Sequence, residues 1–195
     1  MNIRKKRSRS HYVKYSREVE NSFGNIFVRY FILLIIAVPN LYIFYTIFTP
    51  VTLYPVYYLF KIFFGAVLVR NVIYVKCIPI ELINPCIAGS AYYLLSILNL
   101  STPEIAFKKR IKMLLLAFLL FLLVNILRIF FLSMLLISNS PWFDLTHEIF
   151  WYFVSVLFVV GIWFAEVKYF KIKKVPIYSD LKFLYNNSSL KKKKR

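Results

Sequence analysis

Three residues of this chain have the side chains of a cysteine-nucleophile site, and each lies in a different apolar region. Cys86 precedes small residues in INPCIAGSAYY, Arg128 lies inside the apolar stretch VNILRIFFL, and His147 lies in FDLTHEIFW. A thiol attacks a carbonyl when its pKa is lowered or a base lies beside it, an imidazole transfers protons, and a guanidinium stabilises a thiolate or an oxyanion. These residue types therefore predict acyl transfer on an amide.

Composition indicates the environment of these residues. The 195 residues are 60% hydrophobic and 19% aromatic, yet the net charge is +18, and the basic residues are separated from long apolar runs. A nucleic-acid-binding protein would interleave its basic residues with the fold, so we expect no nucleic-acid partner. Two cysteines are too few for a disulfide scaffold, and no signal-peptide cleavage site precedes the first apolar run. The sequence predicts an all-α polytopic membrane protein with a retained N-terminus.

Helices of about 20 apolar residues are long enough to cross a bilayer. The runs that qualify are 24–48, 86–102, 113–137 and 149–166, with Pro39 expected to kink the first without ending it. A fifth run, 53–69, holds Lys61 near its middle, where a lysine costs about 2.5–3.5 kcal/mol. An interfacial or re-entrant helix therefore competes with a span there. Residues 71–84 alternate β-branched side chains, which predicts a small β-hairpin on the outer face.

The basic residues predict the orientation, because Lys and Arg are concentrated on the cytoplasmic side. Residues 1–20 carry seven, 104–112 carry four and 167–195 carry ten, whereas 137–148 carry none. We expect a multi-pass plasma-membrane protein with both termini in the cytoplasm, so the number of spans is even. Four spans plus an outer-face element at 53–69 satisfy this condition. The domain division is a basic cytoplasmic tail at 1–23, a membrane domain at 24–166 and a second basic tail at 167–195.

This topology brings the three candidate residues to the outer side of the membrane. Cys86 and His147 lie at the outer ends of their spans, and the helical rise from Met113 puts Arg128 about 22 Å up, in the outer third. An arginine inside a membrane is a functional-site hypothesis by default. Asn125 lies one turn from Arg128 and is expected to hold its guanidinium by hydrogen bonding.

Each candidate also has an ordinary structural interpretation. Cys86 would be a buried thiol that packs as a small hydrophobic group, and Arg128 would extend to the outer headgroups. Asn125 would be a helix-packing contact and His147 a surface residue at the interface. The catalytic interpretation is favoured because three separate segments deliver Cys, Arg and His to the same layer. His11 belongs to the cytoplasmic tail and forms no zinc motif, so no metal or cofactor is expected. Cys77 is expected to be a free structural thiol.

Four segments, in order, resemble the exosortase/archaeosortase transpeptidases. They are PIELINPCIAGSAYYLLSILNL, the basic turn FKKRIK, NILRI in the following span and HE before the last span. The resemblance covers about residues 55–165, and its specificity lies in the combination. Many members have Thr or Ser and then Gly after the cysteine, whereas Ile87 and Ala88 precede Gly89 here, a pattern that resembles certain archaeal branches.

The resemblance implies that Cys86 is the nucleophile and that Arg128 and His147 complete a sortase-like triad. The implied substrates are secreted surface proteins whose C-terminal sorting signal contains a short motif, a transmembrane helix and a basic cluster. The enzyme would cleave at the motif and transfer the new C-terminus to an acceptor, often a membrane lipid in archaea. Arg110 matches a basic position of the family's inner loop, although a positive-inside anchor is the simpler explanation.

Two other classes of function remain open. A small anion transporter would use Arg128 to attract its substrate, but such proteins normally have paired charges or broken helices at mid-membrane. A non-catalytic membrane adaptor would bind partners through its basic tails and would need none of the three residues. Replacing Cys86 with Ser separates the classes, because an enzyme would lose processing, a transporter would mostly keep transport and an adaptor would keep binding.

Overall fold

A computed structural model describes residues 24–38, 41–76, 78–172 and 174–187. The described chain is mostly helical and includes one small sheet. Its elements are α1 (Gly24–Ala37), α2 (Tyr42–Phe64), β1 (Val67–Val69), β2 (Val72–Val75), β3 (Ile78–Glu81), α3 (Asn84–Ile87), α4 (Gly89–Leu100), α5 (Phe107–Ile137), α6 (Phe143–Ile149), α7 (Ser155–Tyr169) and α8 (Tyr178–Asn187). The predicted N-terminal tail, the end of the C-terminal tail, Pro39 and Cys77 lie outside the described residues.

Three of the described helices are long and apolar enough to cross a membrane. They are α2, α5 and the continuous helix Phe143–Tyr169, which joins α6 to α7 through a π-helical turn at Phe150–Val154. Their lengths are about 35, 46 and 40 Å, against a hydrocarbon core of about 30 Å. The prediction of a membrane protein is consistent with these helices, and the predicted spans 113–137 and 149–166 fall within α5 and Phe143–Tyr169.

The first two predicted apolar elements have different bounds in the structure. The predicted single helix 24–48 is wrong, because α1 ends at Ala37 and α2 begins at Tyr42, after Leu41 in a left-handed conformation with φ of 59°. Most of the run 53–69 belongs to α2 instead of forming a separate element. Lys61 lies in the last turn of α2 with an exposed side chain, so its charge is not buried at the middle of a helix.

The segment before Cys86 forms a three-stranded antiparallel sheet in the order β1-β2-β3. Val67 pairs with Tyr74, and Val72 pairs with Glu81. The β2–β3 hairpin confirms the extended structure predicted for 71–84, while β1 comes from the end of an apolar run that was expected to be helical. Ile73 and Val75 lie on the buried face of the sheet, which packs against the rest of the molecule. The outer-face position of the sheet stays a prediction.

An aromatic core joins α2, α4 and α5. Tyr92 of α4 stacks on Phe48 of α2 with ring centroids 3.6 Å apart, and it meets Phe118 and Phe121 of α5 edge-on. Gly89 makes this approach possible, because a Cβ atom there would lie 2.7 Å from the Tyr45 ring. The small residue Gly89 therefore allows α4 to pack closely against α2.

Helix α4 is shorter than the predicted span 86–102. It has 12 residues and a length of about 18 Å, because the chain turns at Ala88, whose φ is 58°. A fourth span through this region therefore stays a prediction. The consequence for the site is that Cys86 lies not in α4 itself but in α3, a separate helical turn just before it.

Candidate functional site

Cys86 is held in the single helical turn α3 by features of the local sequence. Pro85 lies in the first turn of α3, where its missing N–H costs no hydrogen bond. Ala88 ends the turn in the left-handed region, a conformation that is strained for a residue with a Cβ atom. The Cys86 side chain is half-buried, and the described structure contains it as a free thiol.

Asn125 of α5 fixes the position of this turn. Its side-chain Nδ2 donates a hydrogen bond of 2.9 Å to the Cys86 carbonyl oxygen, and the residue is 1% exposed. The expected hydrogen bond from the Arg128 guanidinium to Asn125 is not present among the described residues, and Asn125 binds the Cys86 backbone instead. The buried Oδ1 of Asn125 has no partner among the described residues.

Arg128 lies one turn further along α5 and points into the protein. It is 7% exposed, so extension of its side chain to the headgroups is excluded by the structure. Nη1 donates a hydrogen bond of 3.0 Å to the Ser155 hydroxyl oxygen, and that hydroxyl donates one of 2.7 Å to the Phe150 carbonyl oxygen. The buried Nε of Arg128 has no partner within the described chain. This N–H can therefore donate a hydrogen bond to one further acceptor.

The π-helical turn Phe150–Val154 explains how Ser155 meets Arg128. The Phe150 carbonyl accepts from both the backbone N–H and the hydroxyl of Ser155, five residues later. Such turns widen a helix locally and occur frequently at functional sites. Sequence reasoning missed Ser155, because a serine in an apolar helix gives no local indication of its partner.

Cys86 and Arg128 are electrostatically coupled. Burial raises the pKa of the Cys86 thiol above its ordinary value, while the Ile83 backbone and the positive charge of Arg128 act in the opposite direction. Burial is the largest effect, so the resting group is a neutral thiol. The site therefore resembles a nucleophile that needs a base before it can react.

His147 has a different set of neighbours. Its ring stacks on Phe143, with centroids 5.5 Å apart, and meets Trp151 edge-on at 5.8 Å. It lies eight residues before Ser155, a rise of about 12 Å along the same helix. The predicted approach of His147 to Cys86 and Arg128 stays a prediction.

Arg110 lies at the other end of α4 from Cys86. Its guanidinium donates to the backbone carbonyls of Asn99, Leu100 and Thr102, the last at 2.8 Å. Cations near a helix C-terminus satisfy carbonyls that lack an intrahelical partner. Arg110 therefore caps α4 and makes no described contact with the Cys86 site.

No protein-family model, curated protein or solved structure matches the chain. Within the described residues, no three His, Cys, Asp or Glu side chains are grouped so that they could hold a metal ion. The functional assignment therefore depends on the geometry around Cys86 and Arg128.

Proposed function

We propose that this protein is a membrane-embedded cysteine transpeptidase similar to exosortases and archaeosortases. The observation that carries the proposal is the position of Asn125 and Arg128 one turn apart on α5. Asn125 binds the Cys86 backbone, while the buried Arg128 acts on the thiol by its charge and its Nε has no partner in the described part of the chain. An isolated structural thiol would need neither this hydrogen bond nor the nearby positive charge.

The proposed reaction begins with attack of the Cys86 sulfur on the carbonyl carbon of a substrate amide. His147 accepts the thiol proton, and Arg128 stabilises the negative charge on the carbonyl oxygen of the tetrahedral intermediate. The C–N bond then breaks, and the imidazolium gives its proton to the leaving amine. A nucleophilic acceptor, which gives its proton to His147, then attacks the thioester carbonyl. The C–S bond breaks, and the proton passes from His147 to the Cys86 thiolate. The reaction requires His147 to approach Cys86 when substrate binds.

The proposed substrate is the C-terminal sorting signal of a secreted protein, and the proposed acceptor is a membrane lipid. In this proposal both termini are cytoplasmic, Cys86 and His147 lie on the outer side, and the α3–α4 region provides the fourth crossing. The exposed apolar side chains along α2, α5 and Phe143–Tyr169 support contact with lipid.

The test is co-expression with a secreted protein that carries such a signal. Cys86→Ala should abolish processing and leave full-length substrate in the membrane, whereas Cys77→Ala, the matched cysteine control, should process normally. Arg128→Ala should reduce turnover by about 10²–10³, and Arg128→Lys should restore only part of it because lysine lacks the planar guanidinium. Cleavage by the Cys86→Ala protein would contradict the proposal. Unprocessed substrate in the presence of the wild-type protein would favour a membrane adaptor or an anion transporter.

A further inference from the structure

Glu166 is a buried acid that the proposed reaction does not use. It lies in α7, is 1% exposed, and faces α4 and the backbone of Ala117 in α5. Its Oε2 accepts a hydrogen bond of 3.1 Å from Nδ2 of Asn99, a fully buried residue near the end of α4. An ionisable side chain in such a position in a membrane protein indicates a functional site.

No cation neutralises Glu166 within the described chain. The described salt bridges join other residues, Arg29 with Asp180 and Lys174 with Glu104. The basic groups of neighbouring α5 are engaged elsewhere, since Arg110 caps α4 and Lys109 donates to the Phe170 carbonyl at 2.8 Å.

The charged positions of α7 and α4 are also accounted for. Lys168 of α7 has an exposed side chain. Described α4 contains no Asp, Glu, Lys, Arg or His, so Asn99 is its polar group at this contact. A carboxylate buried without a counter-charge is costly, which favours the neutral acid.

Two buried oxygen atoms of the pair, Glu166 Oε1 and Asn99 Oδ1, have no partner among the described residues. Both hydrogens of the Asn99 amide are already used, one toward Glu166 and one toward the Leu95 carbonyl at 3.2 Å. Asn99 therefore cannot satisfy Oε1, and neither acceptor can satisfy the other. A single proton on Oε1 removes both deficits, because a carboxylic acid and an amide can form a cyclic pair with two hydrogen bonds.

We propose that Glu166 and Asn99 form a buried proton-binding site, in which the Glu166 acid donates to Asn99 Oδ1 and accepts from Asn99 Nδ2. The hydrogen bond made by this proton connects α7 to α4, at the end of α4 that is opposite the Cys86 turn. Release of the proton leaves two oxygen acceptors opposed and weakens the contact between these helices. This site is independent of the proposed peptidase reaction.

The test is infrared spectroscopy of the full-length protein in lipid nanodiscs at neutral pH. The wild type should have a carboxylic acid C=O band that shifts in D₂O. Glu166→Gln should lose the band, while Glu148→Gln, an exposed control in the same helix, should keep it. Glu166→Gln should fold normally, because glutamine also forms two hydrogen bonds with Asn99.

A second variant tests the partner. Asn99→Ala keeps the backbone carbonyl that binds Arg110 but should shift the band to a higher frequency, because the acid loses its acceptor. An acid band that Glu166→Gln leaves unchanged would overturn the proposal. A carboxylate band sensitive to Trp163→Phe would also overturn it, since the indole N–H one turn earlier, which has no partner within the described ranges, would then be the donor. Stabilisation by Na⁺ at constant ionic strength that Glu166→Gln abolishes would show a metal cation site instead.

Discussion

Cys86 and Arg128 influence each other because both are largely shielded from water. A positive charge acts more strongly on a thiol when little solvent lies between them. Burial opposes this effect and keeps the resting thiol neutral. The opposing effects of burial and of the Arg128 charge on the pKa of Cys86 can therefore be measured without knowing the substrate.

At the residue scale, the pH dependence of Cys86 alkylation measures the pKa of the thiol. In a Cys77→Ser background, the pH at which iodoacetamide reacts with Cys86 at half its maximal rate should lie above that of free cysteine, because burial raises the pKa of the thiol. Arg128→Ala should move it higher still, because the thiolate loses a favourable charge. Lys112→Ala, which removes an exposed charge from the same helix, is the control. Coincident pH profiles for Arg128→Ala and its parent would show that the two groups are not coupled.

At the element scale, one hydrogen-bond chain connects α5 to the helix Phe143–Tyr169. Arg128 donates to Ser155, and Ser155 donates to the Phe150 carbonyl in the π-helical turn. The π-helical turn and the Arg128–Ser155 contact are linked, because the Phe150 carbonyl oxygen of the turn accepts from the Ser155 hydroxyl and so orients it. The helix that binds Arg128 through Ser155 is therefore the same continuous helix that carries His147.

Ser155→Ala should destabilise the protein because it leaves Nη1 of Arg128 without its acceptor. Hydrogen bonds to charged groups contribute about 1.5–3 kcal/mol, so we expect a loss of this size in the free energy of unfolding. Ser155→Thr should retain most of the stability, and Ser90→Ala, at an exposed position, should have little effect. Reversible unfolding in mixed detergent micelles measures the differences. Equal stability of Ser155→Ala and the wild type would show that the contact is not maintained in solution.

At the scale of the whole molecule, the distribution of charge predicts how the helices are oriented. Basic residues are concentrated in the two terminal segments and in 104–112, while 137–148 have none. The Arg110 cap and the Glu166–Asn99 pair lie together near the end of α4, whereas Cys86 lies in α3, just before α4 begins. The two ends of α4 therefore lie beside polar groups of different kinds, a thiol at one end and an arginine and a carboxyl group at the other.

The orientation can be tested by labelling single cysteines in intact cells with a membrane-impermeant reagent. In a parent without Cys77 and Cys86, Leu145→Cys should be labelled and Leu190→Cys should not, because positive residues are retained in the cytoplasm. Permeabilised cells, in which both positions should react, provide the control. Labelling at 190 but not at 145 would reverse the assignment.

The amino-acid sequence by itself determined that there are apolar helices long enough to cross a membrane, the approximate positions of α5 and the last long helix, and the extended segment before Cys86. These features depend on apolar length and on the alternation of neighbouring residues, which are local properties. The boundary between α1 and α2 and the first strand were missed, because one apolar run can supply helix, turn or strand.

Only the tertiary structure decided the polar partners. Asn125 binds a carbonyl 39 residues away, Arg128 a hydroxyl 27 residues away, and Asn99 a carboxylate 67 residues away. A sequence pattern shows which groups would be costly to bury, but it does not show which distant helix face will satisfy them. That choice follows from helix packing, here from the close approach at Gly89 and the widened turn at Phe150–Val154, which together set which side chains meet.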